Sequence, residues 1–178
     1  MARLVDQIKE ALQAFVGLRT SPALIGGLAL AAHNVVRATR DVDFLADADD
    51  ADRLHTLLLG LGYQCIHRSQ DAANYVRVDE GLDLLYAHRP EARRLLAQAE
   101  ERDTGMGRLR VISAEGLVGF KLQGFVNDAG RHRDLDDIRA LLHANRATLD
   151  MAEVRRYFAI FERELLLDEL LAELDRQA

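Results

Sequence analysis

The chain has 178 residues, of which 49% are hydrophobic, and a formal net charge of −6. That is enough for one core without metals or disulfides, and a single cysteine, Cys65, excludes an internal disulfide. The negative balance excludes a generic polyanion binder, and no stretch approaches the roughly 20 apolar residues that span a bilayer. Asp6, Lys9 and Glu10 interrupt any apolar signal-peptide segment near the start, so a cytoplasmic setting is expected.

In chain order, Leu4, Val5, Ile8, Leu12, Phe15 and Val16 recur at helical spacing and predict an amphipathic helix over 1–19, broken by Ser21-Pro22. Ala23-Leu24-Ile25 reads as a buried strand ended by a turn at Gly26-Gly27. Leu28 to Val36 reads as a buried helix, and Asp41 to Leu45 as a strand. A helix capped by Asp49 or Asp50 runs to about Leu59. Strands follow at Tyr63–His67, Asn74–Val78 and Leu82–Tyr86, the last two joined through Asp79-Glu80-Gly81.

Pro90 opens a predicted helix to about Arg102, and Gly107–Ile112 reads as a strand. Ser113 caps a helix carrying Lys121. From Asp134 the pattern is helical through Leu142, and again from Asp150 to the end. The expected class is α+β, with a mixed core over 1–112 and a helical region over 113–178. Cys65 reads as a small buried hydrophobe in a strand.

The chemistry concentrates between Leu24 and Asp43. In a strand, residues two apart share a face, so Asp41 and Asp43 project together while Val42 points away. Two carboxylates ~4 Å apart repel by about 4 kcal/mol at an effective dielectric near 20, and a hard divalent ion removes that conflict. An Asp-x-Asp pair alone is weak evidence, since such pairs are common on solvated surfaces. Gly26-Gly27, between strand and helix, is either a plain turn or a place where backbone comes close to a phosphate.

Asp83, flanked by Leu82 and Leu84, is either a third carboxylate of the cluster or an exposed strand residue. Lys121 either neutralises a triphosphate, held by Asp134, or forms a structural Lys–Asp pair. Arg131, His132 and Arg133 make a small basic cluster. The apolar stripe Val154, Tyr157, Phe158, Phe161 and Leu165 covers either the chain's own core or a dimer interface.

Gly26-Gly27, then Arg37-x-Thr39-x-Asp41-x-Asp43, then Asp83, resembles the nucleotidyltransferase signature of the polymerase β superfamily. Lys121 and Arg133-Asp134-x-x-Asp137 resemble, more narrowly, the AbiEii-type toxin nucleotidyltransferases and their small relatives. The resemblance runs from about Ala23 to Leu142. It implies a small mixed sheet flanked by helices, with Gly26 and Gly27 beneath the nucleotide phosphates and Arg37 and Thr39 shaping the loop before the first aspartate. It further implies Asp41, Asp43 and Asp83 on Mg²⁺ or Mn²⁺, with Lys121 and Asp134 completing the site.

The implied reaction moves a nucleoside monophosphate from a nucleoside triphosphate to an acceptor. RNA, a partner protein and a small hydroxyl compound are the candidate acceptors, and a toxin role would add a cognate antitoxin. A non-catalytic nucleotide-binding or protein-interaction module on the same fold is the alternative. The chain departs from the family at three places. Gly27 stands where a serine is common, Asn34 where a Gly often follows His33, and Arg133 where Lys often precedes the Asp. His33 is expected to hydrogen-bond within a helix rather than to ligate metal.

Overall fold

A computed structural model describes residues 2–104, 106–128 and 130–177. Met1 and Ala178, the outer ends of the predicted terminal helices, lie outside the described residues. The chain divides into two compact units, one of Met1–Ala32 with Arg37–Ile112 and one of His33–Val36 with Ser113–Ala178.

The first unit contains α1 (Ala2–Ala14), β1 (Ala23–Ile25), α2 (Gly26–Ala31), β2 (Asp41–Asp47), α3 (Ala51–Gly60, entered through a 3-10 turn at Ala48–Asp50), β3 (Gln64–Arg68), β4 (Ala72–Arg77), β5 (Glu80–Ala87), α4 (Pro90–Ala97), β6 (Glu100–Asp103) and β7 (Arg108–Val111). The seven strands form one mixed sheet in the order β3-β4-β5-β2-β1-β7-β6. Pairs β2–β5 and β1–β7 are parallel and the remaining pairs are antiparallel. Val42 and Phe44 of β2 and Leu82 and Leu84 of β5 are fully buried, on the same sheet face as Tyr75. Helices α1 and α3 cover that face, with Phe15 edge-on to Phe44 at 5.4 Å between ring centroids and His55 bonded to the Tyr75 hydroxyl. Period-two alternation thus sends apolar residues under the helices and the aspartates to the opposite face.

Several predicted boundaries move. Helix α1 stops at Ala14 instead of reaching 19, ahead of Gly17 at φ +87°. The glycines at 26 and 27 are not a turn before a helix but its first residues, and α2 ends at Ala31 rather than Val36. Asn34 then turns the chain at φ +63°, a left-handed conformation that Asn tolerates. Asp50 caps nothing with its side chain, which instead accepts from the backbone N–H groups of Arg19 and Thr20. Cys65 is half-buried, not buried. The helix expected to run to Arg102 ends at Ala97, and Glu100–Asp103 is an edge strand, exposed at every position and carrying only charged side chains. It lacks the apolar alternation that marks a strand, and its charges guard a free sheet edge.

The second unit contains α5 (Ala114–Asn127), α6 (His132–Ala144), α7 (Met151–Ile160) and α8 (Glu164–Gln177). Ser113 caps α5 by accepting from Gly116 N–H, and Asp150 caps α7 by accepting from Ala152 and Glu153. Glu162, at φ +54°, separates α7 from α8 inside what the sequence presents as one helical stretch. Val154, Tyr157 and Phe158 are buried, whereas Leu165 is 80% exposed. His33 is buried here, and its carbonyl accepts from the Asn145 amide at 2.9 Å. Among the described residues no helix is long and apolar enough to cross a membrane.

The β4–β5 hairpin turns through two residues, Val78 and Asp79, with Arg77 paired to Glu80. Val78 sits at φ +56° with its side chain 81% exposed, so a β-branched residue is strained there with no packing to offset it. Replacing Val78 by Gly should raise stability by about 1 kcal/mol, read as a higher urea midpoint at unchanged m-value; a lower midpoint would show that the turn is unstrained.

Candidate active site

Strand β2 pairs in register with β5, Asp41 opposite Gly81 and Asp43 opposite Asp83. Residues opposed in adjacent strands share a face, so one half-open surface carries Asp41, Asp43 and Asp83. On the far side of β5, Asn74 of β4 is registered with Asp83 and joins the same face. The Asn74 amide donates to Asp83 Oδ1 at 2.8 Å.

Glycines make room for both aspartates of the pair. Gly26, at φ +66°, lies so close to Asp43 that a Cβ there would overlap the carboxylate, 2.5 Å from its Cγ. A Cβ on Gly81 would stand against the Asp41 carboxylate, 3.0 Å from Cγ. Gly27 packs under the loop before β2, and a Cβ there would fall 2.8 Å from Thr39 Cβ and 3.1 Å from an Arg37 nitrogen. Thr39 in turn donates its hydroxyl to the Asp41 carbonyl at 3.3 Å. From the other side, the buried Gln7 of α1 donates to the Gly81 carbonyl at 3.0 Å. The structure therefore brings Gly26, Gly27, Arg37, Thr39, Asp41, Asp43 and Asp83 into one neighbourhood.

Burial pushes the Asp83 carboxyl above the usual carboxylate range; the Asn74 hydrogen bond opposes this, and the charge on Asp41 adds to it. Donors elsewhere on β2 are not short: Asp47, on the same face, accepts from Asp49 N–H and the Thr20 hydroxyl. Among the described residues no three His, Cys, Asp or Glu side chains come close enough together to hold a metal ion. Asp41, Asp43 and Asp83 are thus not a closed three-carboxylate cage. The glycine-lined pair does fit Mg²⁺, which usually takes one or two carboxylates and completes its shell with water and phosphate.

Lys121 and Asp134 meet within the second unit. Lys121 Nζ lies 2.9 Å from Asp134 Oδ1 and 2.8 Å from Asp137 Oδ2, with all three side chains largely buried. Arg131 Nε reaches Asp134 Oδ2 at 2.6 Å, and Gly124 is bare where a Cβ would stand 2.6 Å from that oxygen. Ammonium and guanidinium thus balance the two carboxylates of this cluster. Sequence reasoning passed over Gly81, Asn74 and Gln7. A glycine inside a strand, two residues from Asp83 and so on the same strand face, was the available signal for the first.

No protein-family model matches the chain, and neither does any curated protein. Solved structures do resemble it. The antibiotic-resistance factor ANT(2'')-Ia is 17% identical at a TM-score of 0.68, over 97% of this chain and 98% of that one. The lincosamide antibiotic adenylyltransferase LnuA is 15% identical at a TM-score of 0.56, over 76% of this chain and 96% of that one. An antigenic nucleotidyltransferase-like protein from Paracoccidioides brasiliensis is 19% identical at a TM-score of 0.56, over 94% and 92%. The chain has the nucleotidyltransferase fold, a mixed seven-stranded sheet with helices.

Alanine at position 26 should cost about 3 kcal/mol, since it combines a left-handed backbone with a clash. Alanine at position 81 should cost only about 1 kcal/mol, because the exposed Asp41 side chain can swing aside. Denaturant unfolding of the two variants checks the order; equal costs would show that the glycines do not act as described.

Asp83→Asn should stabilise the protein at neutral pH. With the folded-state pKa raised, the folded form binds more protons than the unfolded one between the two values, so wild-type stability falls as pH rises through that window. The gain should be full above the raised value and vanish below about pH 4, where Asp is neutral in both states. Thermal midpoints across pH 3–8 (roughly the carboxylate range and above) give the answer, and a pH-independent gain would rule it out.

Proposed function

We propose that the protein is a metal-dependent nucleotidyltransferase that moves a nucleoside monophosphate from a nucleoside triphosphate to a hydroxyl acceptor. The observation that carries this reading is the pair Asp41 and Asp43 on one sheet face, each laid against a glycine backbone. Such a floor has carboxylates for a divalent ion and, at Gly26 and Gly27, bare backbone for a phosphate to approach. Asp41 and Asp43 would hold Mg²⁺ or Mn²⁺, which when bound would neutralise phosphate charge and polarise the α-phosphate. Arg37 and Thr39 shape the loop over Gly27.

Asp83 has the environment of a base. Its proton affinity is raised by burial, which suits a group that must take a proton near neutral pH. In the reaction the acceptor oxygen forms a bond to the α-phosphorus and its proton passes to Asp83. The bond from that phosphorus to the bridging oxygen breaks, and pyrophosphate leaves with the electron pair. For Lys121, bracketed by Asp134 and Asp137, the geometry supports a pin between α5 and α6.

The AbiEii-type resemblance favours an RNA acceptor, which needs a basic surface. Against that stand the net charge of −6 and the pairing of Arg131 to Asp134. One solved neighbour is described with adenylyl-2''-tobramycin and another with lincomycin, both small hydroxyl compounds. We infer a small hydroxyl-bearing acceptor, with a carboxylate floor that favours positive charge on it. Gly27, lacking the hydroxyl common at that position, favours the rival reading of a nucleotide-binding module without turnover.

The test incubates the purified protein with labelled nucleoside triphosphates and Mg²⁺, together with aminoglycosides, lincosamides, RNA or a protein mixture. Label should pass to a small acceptor, and Asp41→Ala and Asp43→Ala should each lower transfer by about a hundredfold or more. Transfer to RNA would reassign the acceptor. Nucleotide binding with no transfer to anything, identical in Asp41→Ala, would leave the module reading.

A further inference from the structure

Asn74 is a polar residue of this face for which the nucleotidyltransferase resemblance supplies no role. It lies on β4, opposite Asp83 in an antiparallel register, and its side-chain nitrogen donates to Asp83 Oδ1 at 2.8 Å. The neighbouring positions on its strand face, Ala72 and Val76, carry no polar group. Asp83 makes no other side-chain hydrogen bond to the described residues, so Oδ1 is held while Oδ2 is open. An amide suits this position for two reasons. It is a neutral donor, so it orients a carboxylate without cancelling its charge as Lys or Arg would. It also adds no negative charge to a face that already holds Asp41, Asp43 and Asp83, where a carboxylate in its place would repel all three.

We propose that Asn74 is a positioning residue that clamps one oxygen of Asp83 and leaves the other aimed to take the acceptor proton. This rests on the nucleotidyl-transfer reading of the site. The clamp freezes the Asp83 rotamer across the strand, where a free carboxylate would otherwise turn toward whatever cation sits on the Asp41–Asp43 pair. Fixing a base to within a fraction of an ångström is the kind of placement on which proton transfer depends. The residue acts only through Asp83, and metal–nucleotide binding by Asp41, Asp43 and the glycine backbone does not involve it.

The experiment compares wild type, Asn74→Leu, Asp83→Asn and the double variant for pyrophosphate release from a nucleoside triphosphate with Mg²⁺ and acceptor, and for binding of Mn²⁺–nucleotide by calorimetry. Leucine matches the size of Asn without the donor. Asn74→Leu should lower kcat by roughly tenfold or more while Mn²⁺–nucleotide affinity stays within about threefold. In the Asp83→Asn background the same substitution should change kcat less than twofold (about 0.4 kcal/mol). Asn74→Ser, which restores a donor on a shorter arm, should recover part of the loss. Three results would overturn the proposal: kcat unchanged in Asn74→Leu, an equal loss in the Asp83→Asn background, or a fall in nucleotide affinity that matches the fall in kcat. A wild type without pyrophosphate release, even though it binds Mn²⁺–nucleotide, would instead remove the transfer reading and the clamp with it.

Discussion

The in-register parallel pairing of β2 with β5 is the constraint from which the rest of the site follows. It sets Asp41 over Gly81 and Asp43 beside Asp83, and it fixes which face all three occupy. A slip of one residue would turn Val42 and Phe44 out and drive the aspartates beneath α1 and α3. The buried side therefore enforces the exposed one. Full burial of Val42, Phe44, Leu82 and Leu84 makes the register a matter of several side chains' transfer energy, about 1.5–3 kcal/mol each. Like-charge repulsion on the other face is small enough to be carried by that term.

Backbone economy does the rest. Like charges at the start of β2 need space as well as a counter-charge, and the space comes from residues without side chains. Gly26 supplies it from the strand-to-helix junction and Gly81 from the neighbouring strand. Gln7 holds the carbonyl of Gly81, and Arg77 ties Glu10 of α1 to Glu80 at the start of β5 with ion pairs of 2.7 Å to each. Helix α1 thus fixes the strand on which Asp41 rests. It contributes to the site without carrying any residue that faces it.

How much of this was legible follows from what local sequence encodes. Helical spacing located α1, a short apolar run ended by glycines located β1, and the two-residue strand repeat put Asp41 and Asp43 on one face, because each of these is a local property. Ser113 was readable as a cap for the same reason. Strand β6 was hidden, since Glu100–Asp103 is an exposed edge with no buried face to leave a pattern. The early end of α2 depends on Asn34 adopting a positive φ, which an apolar run such as Leu28–Val36 does not announce. The roles of Gly81 and Asn74 come from register between strands, and no single segment specifies which residues will be opposite one another. Asp83 was readable only as two alternatives because the choice depends on that same pairing.

Four aspartates near the two ends of β2 show why residue type alone does not make a site. Asp47 and Asp50 sit where backbone N–H groups and a hydroxyl converge, and those donors satisfy them: Asp49 and Thr20 for the first, Arg19 and Thr20 for the second. They finish the turn into α3, and their charge is already spent. Asp41 and Asp43 stand at the other end, where a Cβ on Gly81 or on Gly26 would meet the carboxylate. The same carboxylate closes a turn where backbone N–H groups converge on it, and lines an open sheet face where a neighbouring glycine leaves it room. In a fold shared with proteins at 15–19% identity, local surroundings, more than the arrangement of strands, separate the Asp41–Asp43 face from the aspartates of the turn into α3. The same reasoning sets Asn74 apart, since it supplies one donor to Asp83 and stops there.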